Sequence, residues 1–167
     1  KSDGTTAGTV IVEDINSGSS SSSPSYLTVV GSTLYFSASD GTNGTELWKS
    51  DGTTAGTVIV KDINYATSTS DPQHLTPVGN TLYFRATNGI NGEELWKTDK
   101  TSNGTMMVKD IRSGSGSSSP NYLTAIGSTL YFRAYDGTNG YELWKSDGTT
   151  AGTVMVKDIW PGSSSSW

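Results

Sequence analysis

The sequence predicts an all-β chain made of β-propeller blades, and three observations predict it. First, Leu-Trp recurs at 47–48, 95–96 and 143–144, each time after a glutamate (Glu46, Glu94, Glu142), at a fixed spacing of 48 residues. Self-similarity at a period of roughly 20 to 50 residues marks solenoids and propellers. Second, each period divides into short runs of β-branched and aromatic residues bounded by Asp-Gly and Gly turn signals, which read as strands and hairpins. Third, no segment repeats apolar residues at helical spacing. Four short antiparallel strands in about 40 to 50 residues make one blade. A β-solenoid or an open sheet stack is the competing architecture, but a solenoid uses shorter coils and does not need three hairpin turns per repeat.

The chain opens on the polar turn Asp3-Gly4-Thr5-Thr6-Ala7-Gly8, and Thr9 to Ile15 (TVIVEDI) then reads as a strand. Position 13 is lysine in the later copies (Lys61, Lys109, Lys157), so that side is expected to meet water, while Val12, Val60, Val108 and Val156 do not vary. The segment 16–25 is polar and Ser-rich, and alone it would read as a flexible linker. Its length is the same in every copy and Pro24, Pro72 and Pro120 close it, so it reads as a connector between units. Tyr26 to Val30 is the next strand. Thr33 to Ala38 alternates strictly, with Leu34, Phe36 and Ala38 on one face and Tyr35 and Ser37 on the other. The turn Asp40-Gly41-Thr42-Asn43-Gly44 leads to the strand Glu46–Lys49, and the cycle restarts. The units are a half-repeat with an orphan outer strand (1–23), blades at 24–63, 64–111 and 112–159, and the start of a further connector (160–167).

Composition narrows the classes. Only 32% of residues are hydrophobic, but aromatics make up 10%, so large rings act as packing anchors in place of a large aliphatic core. A net charge of −5 and no basic cluster argue against nucleic acid. The chain has no cysteine, which removes disulfides and thiolate metal sites. No apolar run approaches the ~20 residues of a membrane-spanning helix. The chain starts inside a repeat without Met, and reads as a mature or excised slice.

The run from Glu46 to Ile63, with its pattern Glu-Leu-Trp-x-x-Asp-Gly-Thr-x-x-Gly-Thr-x-x-Val-x-Asp-Ile, resembles the ELW-type repeats of bacterial secreted and surface proteins. It is more remotely similar to WD-repeat blades. The copy from Glu142 matches throughout; the middle one departs, with Lys100 in place of Gly52 and Asn103 in place of Ala55, which leaves the type of that turn open. The resemblance covers essentially the whole chain. It implies a propeller, an extracellular or cell-surface location and no shared catalytic activity. It also implies strand positions within a blade: the Tyr26 strand innermost, then the Leu34, Trp48 and Val58 strands outward.

Candidate sites are weighed against structural roles. Trp48, Trp96 and Trp144, with Phe36, Phe84 and Phe132, are expected to anchor blade against blade and not to stack on sugars. Asp51, Asp99 and Asp147 each follow the tryptophan by three residues and precede a turn. Calcium needs several converging oxygens, whereas one carboxylate per turn is better explained by a bond to its own backbone; the same holds for Asp14, Asp62, Asp110 and Asp158. No metal or cofactor is expected. His74 is the one histidine and stands where Tyr26 and Tyr122 stand, so it reads as an aromatic replacement and not as part of a triad. Identical repeated acids do not suggest the division of labour of a glycosidase, and the chain is not expected to be an enzyme.

The expected functional element is a surface. The connectors and the turns holding Asp40, Asn43, Asn88, Asn91, Asp136 and Asn139 emerge on one face, with Tyr65 and Trp160 nearby. Hydroxyls, amides and scattered rings suit a multivalent glycan site; the competing account is a soluble loop rim. The leading reading is a non-catalytic scaffold or protein-interaction module, with a lectin as the alternative. Three blades are too few to close a ring of ~4 to 8. Self-association, or neighbouring blades of a longer chain, is therefore expected to cover the open faces. The orphan strand could join another chain's blade by strand exchange, although every blade already has an outer strand of its own.

Overall fold

The computed structural model describes residues 1–165. Among them are twelve strands and no helix. The strands are β1 (Ser25–Val30), β2 (Thr33–Ser39), β3 (Thr45–Ser50), β4 (Val58–Lys61), β5 (Gln73–Val78), β6 (Thr81–Thr87), β7 (Glu93–Thr98), β8 (Met106–Lys109), β9 (Asn121–Ile126), β10 (Thr129–Tyr135), β11 (Tyr141–Ser146) and β12 (Val154–Lys157). They form three antiparallel four-stranded sheets, each in sequence order: β1 to β4, β5 to β8 and β9 to β12. The sheets are blade-like, and their first strands, β1, β5 and β9, lie side by side.

The register is the same in every sheet. Phe36 faces Trp48, Phe84 faces Trp96 and Phe132 faces Trp144 across the second and third strands. An aromatic cross-strand pair of this kind contributes roughly 0.2–1 kcal/mol, and here it anchors one of the two apolar faces of each sheet. The first strand of each sheet carries a bulge that sets one aromatic residue at positive φ: Tyr26 at 54°, His74 at 56° and Tyr122 at 55°. A hydroxyl two residues on (Thr28, Thr76, Thr124) donates to that residue's carbonyl and holds the strained turn. His74 thus occupies the aromatic position, its ring centroid 6.4 Å from that of Tyr26.

Both faces of a sheet are used. Val30, Tyr35, Leu47, Val60 and Ile63 of the first sheet pack on Leu75, Leu82, Phe84, Ala86 and Trp96 of the second. One period later, Val78, Tyr83, Leu95, Val108 and Ile111 pack on Leu130, Phe132, Ala134 and Trp144. The core is therefore not inside a sheet but between sheets. We call the first set the leading face and the second the trailing face.

The amino-terminal half-repeat departs from expectation. Residues 9–15 form no strand. An outer strand needs the third strand of its own sheet as a partner, and of that strand the described residues include the counterparts of Lys49 and Ser50 of β3, Lys1 and Ser2. Lys1 and Val10 exchange two backbone hydrogen bonds, at 2.7 and 2.9 Å, a single rung that matches the pairing of Lys49 with Val58.

Candidate functional site

Each Asp-Gly-Thr-x-x-Gly-Thr turn closes on itself. Asp51 Oδ1 accepts from Thr53 N at 2.9 Å and Thr53 Oγ1 at 2.7 Å, and Thr53 Oγ1 accepts from Gly56 N at 3.0 Å. Asp99 and Asp147 repeat this pattern. The hydrogen bonds from the threonine hold these exposed carboxyls below the ordinary 3.8. Lys100, in the middle copy, takes φ +87° where Gly52 and Gly148 take +87° and +88°, so the turn keeps its shape despite the substitution.

These turns are also where one sheet holds the next. Lys49 Nζ donates to the Lys100 carbonyl at 2.9 Å and Lys97 Nζ to the Gly148 carbonyl at 2.8 Å. Lys61 and Lys109 donate to the Thr105 and Thr153 carbonyls at 2.9 and 2.8 Å. Two ammonium groups per sheet thus reach across each interface, and charge-assisted bonds of this type contribute more than neutral ones. The lysine at position 61 does not simply meet water, as the alternation suggested; it bonds the neighbouring sheet.

The glutamate before each Leu-Trp carries a role that sequence reasoning missed. Glu46 and Glu94 are fully buried. Glu46 Oε2 accepts from Ile63 N at 3.0 Å and Ser70 Oγ at 2.6 Å, and Oε1 accepts from Ser70 N at 3.0 Å. Glu94 binds Ile111, Arg112 and Ser118 in the same way. Burial pushes both carboxyls up to about 7, against the pull of these donors. Glu142 is buried too and accepts from Ile159 N at 3.2 Å. The signal in the sequence is a Glu and a Ser 24 residues apart (Glu46 with Ser70, Glu94 with Ser118) that neither copy alters.

The loop residues expected to bind ligand are engaged locally. Asp40 Oδ1 accepts from Thr42 N and Asn43 N, both at 2.8 Å, and its Oδ2 from Asn43 Nδ2 at 2.7 Å. Asp136 and Asn139 form the same set. Asn88 accepts from Ile90 N and Asn91 N, and Asn91 Nδ2 reaches Asp110 Oδ2 at 3.1 Å. Partial burial raises the Asp40 and Asp136 carboxyls, and the bonds from their Asn and Thr partners outweigh it, leaving both below 3.8. The structure joins each pair within its own turn. Tyr65 and Trp160 are exposed. Trp48, Trp96 and Trp144 are buried against neighbouring apolar side chains, with no hydrogen-bond partner for the indole N–H among the described residues. Among those residues no group of three His, Asp or Glu side chains is placed to hold a metal.

One surface stands apart. The leading face is buried on the first two sheets and open on the third. Leu47 and Leu95 are 0% exposed and their counterpart Leu143 is 41% exposed; Ile63 is 4% exposed and Ile159 is 59% exposed. Ile126, Val156 and Tyr122 are exposed with them. A shallow depression lies on this face between Tyr122, Tyr131, Leu143 and Ile159. Lys145 and Lys157, the counterparts of the bridging lysines, are both exposed.

No family model matches the chain, and no curated protein matches it. Among solved structures, the chain is similar to one described as the computationally designed Ika8 protein, with 14% sequence identity and a TM-score of 0.45, over 84% of this chain. It spans 39% of that chain's length.

Proposed function

We propose that the three sheets are propeller blades and that the chain is a non-catalytic scaffold or interaction module, working through its open leading face. One observation carries this reading. The surface formed by Ile126, Leu143, Val156 and Ile159 is the one that, on each preceding sheet, is covered by the trailing face of another sheet. Burying side chains of this size contributes roughly 1.5–3 kcal/mol each, and the trailing face of a second copy, or of a further repeat in a longer parent array, is the matching partner. The resemblance to ELW-type repeats supports a propeller and an extracellular or surface setting. The acids of the repeat are occupied in holding turns and connectors, which favours a structural part over catalysis.

Light scattering after size exclusion tests the reading. The expected result is a species heavier than one chain that is lost in Leu143→Asp. A chain that keeps the mass of one copy at every concentration overturns self-association and leaves neighbouring blades of a longer array as the partner. The exposed rings of Tyr65 and Trp160 favour a glycan-binding alternative on the connector side, which a glycan array on the assembled protein addresses directly.

A further inference from the structure

The turn of the second sheet that holds Lys100 also closes a cleft against the first sheet. The cleft has a volume of about 390 Å³, and its walls include Thr33, Tyr35, Lys49, Asp51 and Val58 of the first sheet and Lys100 of the second. Both sheets lie wholly within the described residues.

Three features of this cleft are not explained by packing. Tyr35 is 0% exposed, and its hydroxyl has no hydrogen-bond partner among the described residues. A buried hydroxyl left without a partner is costly. Burial, with the Asp99 carboxylate second, pushes it up to about 12, so it remains a donor at neutral pH. Next, the Lys100 ammonium lies 3.8 Å from where a β-carbon on Gly31 would stand, and it makes no hydrogen bond or ion pair among the described residues. Lastly, Lys100 keeps a left-handed backbone, at φ +87°, where the other two complete copies have glycine. Strain of this kind clusters where a side chain has a role beyond folding. The next interface has no such lysine: there the Tyr83 hydroxyl fills the space that a β-carbon at Gly148 would need.

We propose that this cleft binds a small hydroxycarboxylate, a sugar acid, whose carboxylate is held by Lys100, Lys49 and the Tyr35 hydroxyl. The Lys100 ammonium supplies a charge-assisted bond. Lys49 has three donors and spends one on the Lys100 carbonyl, at 2.9 Å. Tyr35 gives the ligand the bond that its hydroxyl lacks within the chain. No bond tethers the Lys100 side chain, so it turns aside to admit the ligand to Tyr35 and then closes onto it.

Charge and polarity select the ligand class. The walls carry two ammonium groups and one carboxylate, which suits a single negative charge. A dianion is disfavoured further by the Asp99 carboxylate, whose charge reaches Tyr35. Asp51 is held ionised by the bonds from Thr53, and a carboxylate has acceptor sites beyond those two. They are placed to accept from a ligand hydroxyl. Because lysine fills this turn position in one copy alone, the described chain carries one such site, unlike the repeated loop surface on the connector side.

Titration of the isotope-labelled full chain with glucuronate, followed by amide chemical shifts, tests the proposal. The expected shifts centre on Gly31, Thr33, Lys100 and Thr101. Lys100→Gly and Tyr35→Phe are each expected to weaken binding about tenfold, the worth of one hydrogen bond to a charged group. Lys100→Arg keeps the charge and is expected to keep the binding. Neither weakening change is expected to lower the melting temperature, since one relieves strain and the other removes an unbonded hydroxyl. Glucose, which lacks the carboxylate, is expected to give no shifts at these amides. Sulfate shifts there as large as those of glucuronate overturn the hydroxycarboxylate as the ligand. No glucuronate shifts at these amides, or shifts that survive undiminished in both Lys100→Gly and Tyr35→Phe, overturn the site itself. Stacking through the leading face is untouched by either result.

Discussion

The Ser70 hydroxyl lies 2.6 Å from Glu46 Oε2, and that bond fastens the segment leading to the second sheet onto the third strand of the first. Ser118 holds Glu94 at the same distance. The connector also bonds forward, since Thr87 N donates to the Ser70 carbonyl at 3.0 Å. One short segment thus sets the position of two sheets. Ser118→Ala removes a donor to a buried carboxylate and is expected to cost roughly 1.5–3 kcal/mol, measured by urea denaturation; an unchanged midpoint would remove the latch from the account.

The latch makes stability depend on pH. Glu46 and Glu94 titrate near 7 in the folded chain against an ordinary 4.5. The folded chain then holds protons that the unfolded chain has released, so stability falls as pH rises from 4.5 to about 7 and is level above it. Asp40 and Asp136 act oppositely: held below 3.8, their contribution is present above that value and is lost as pH drops further. The melting temperature is expected to peak between about pH 4 and 5. The double change Glu46→Gln and Glu94→Gln is expected to flatten the decline toward pH 7. A melting temperature that climbs from pH 5 to 8 would contradict the assignment.

Lys100 holds a backbone conformation that suits glycine, at φ +87°. A side chain in the left-handed region costs about 1–2 kcal/mol, part of which glycine returns as added freedom in the unfolded chain. Lys100→Gly is expected to raise stability by roughly 0.5–1 kcal/mol, readable as a shift in denaturation midpoint. The bridging bond from Lys49 goes to a backbone carbonyl and survives the change.

Gly92 is constrained from two sides. Its φ is +67°, and a β-carbon there would lie 2.6 Å from the Gly116 carbonyl oxygen. Gly92→Ala is expected to destabilise by roughly 2–4 kcal/mol, because the turn between β6 and β7 must move off the connector. Thermal melting checks this, with Gly52→Ala as a comparison that has positive φ but open space around it.

Much of the fold is legible in the repeats. The alternation in Thr33–Ala38 and the Asp-Gly turns place β2 and its neighbours to within a residue, because each strand's pattern is met three times. The orphan strand at Thr9–Ile15 is not, since strand character there depends on a third strand that a sequence pattern cannot supply. Nor does the pattern announce Glu46 as buried: acids belong to surfaces by composition, and only the donors of a distant connector make a buried one tolerable. The loop pairs, Asp40 with Asn43 and Asp136 with Asn139, look free on paper because their partners are backbone amides two and three residues away. The open leading face is legible only by comparing Leu143 with Leu47 and Leu95, three identical residues in unlike surroundings.

The lysine bridges and the paired faces are written once in each 48-residue period and read across its boundary. A duplication or loss of one whole period would therefore alter the number of sheets without altering the chemistry of any contact between them. Lineages bearing such a unit can change length by unequal recombination with no compensating substitutions, which is a route to new assemblies that a fold with one shared core does not have.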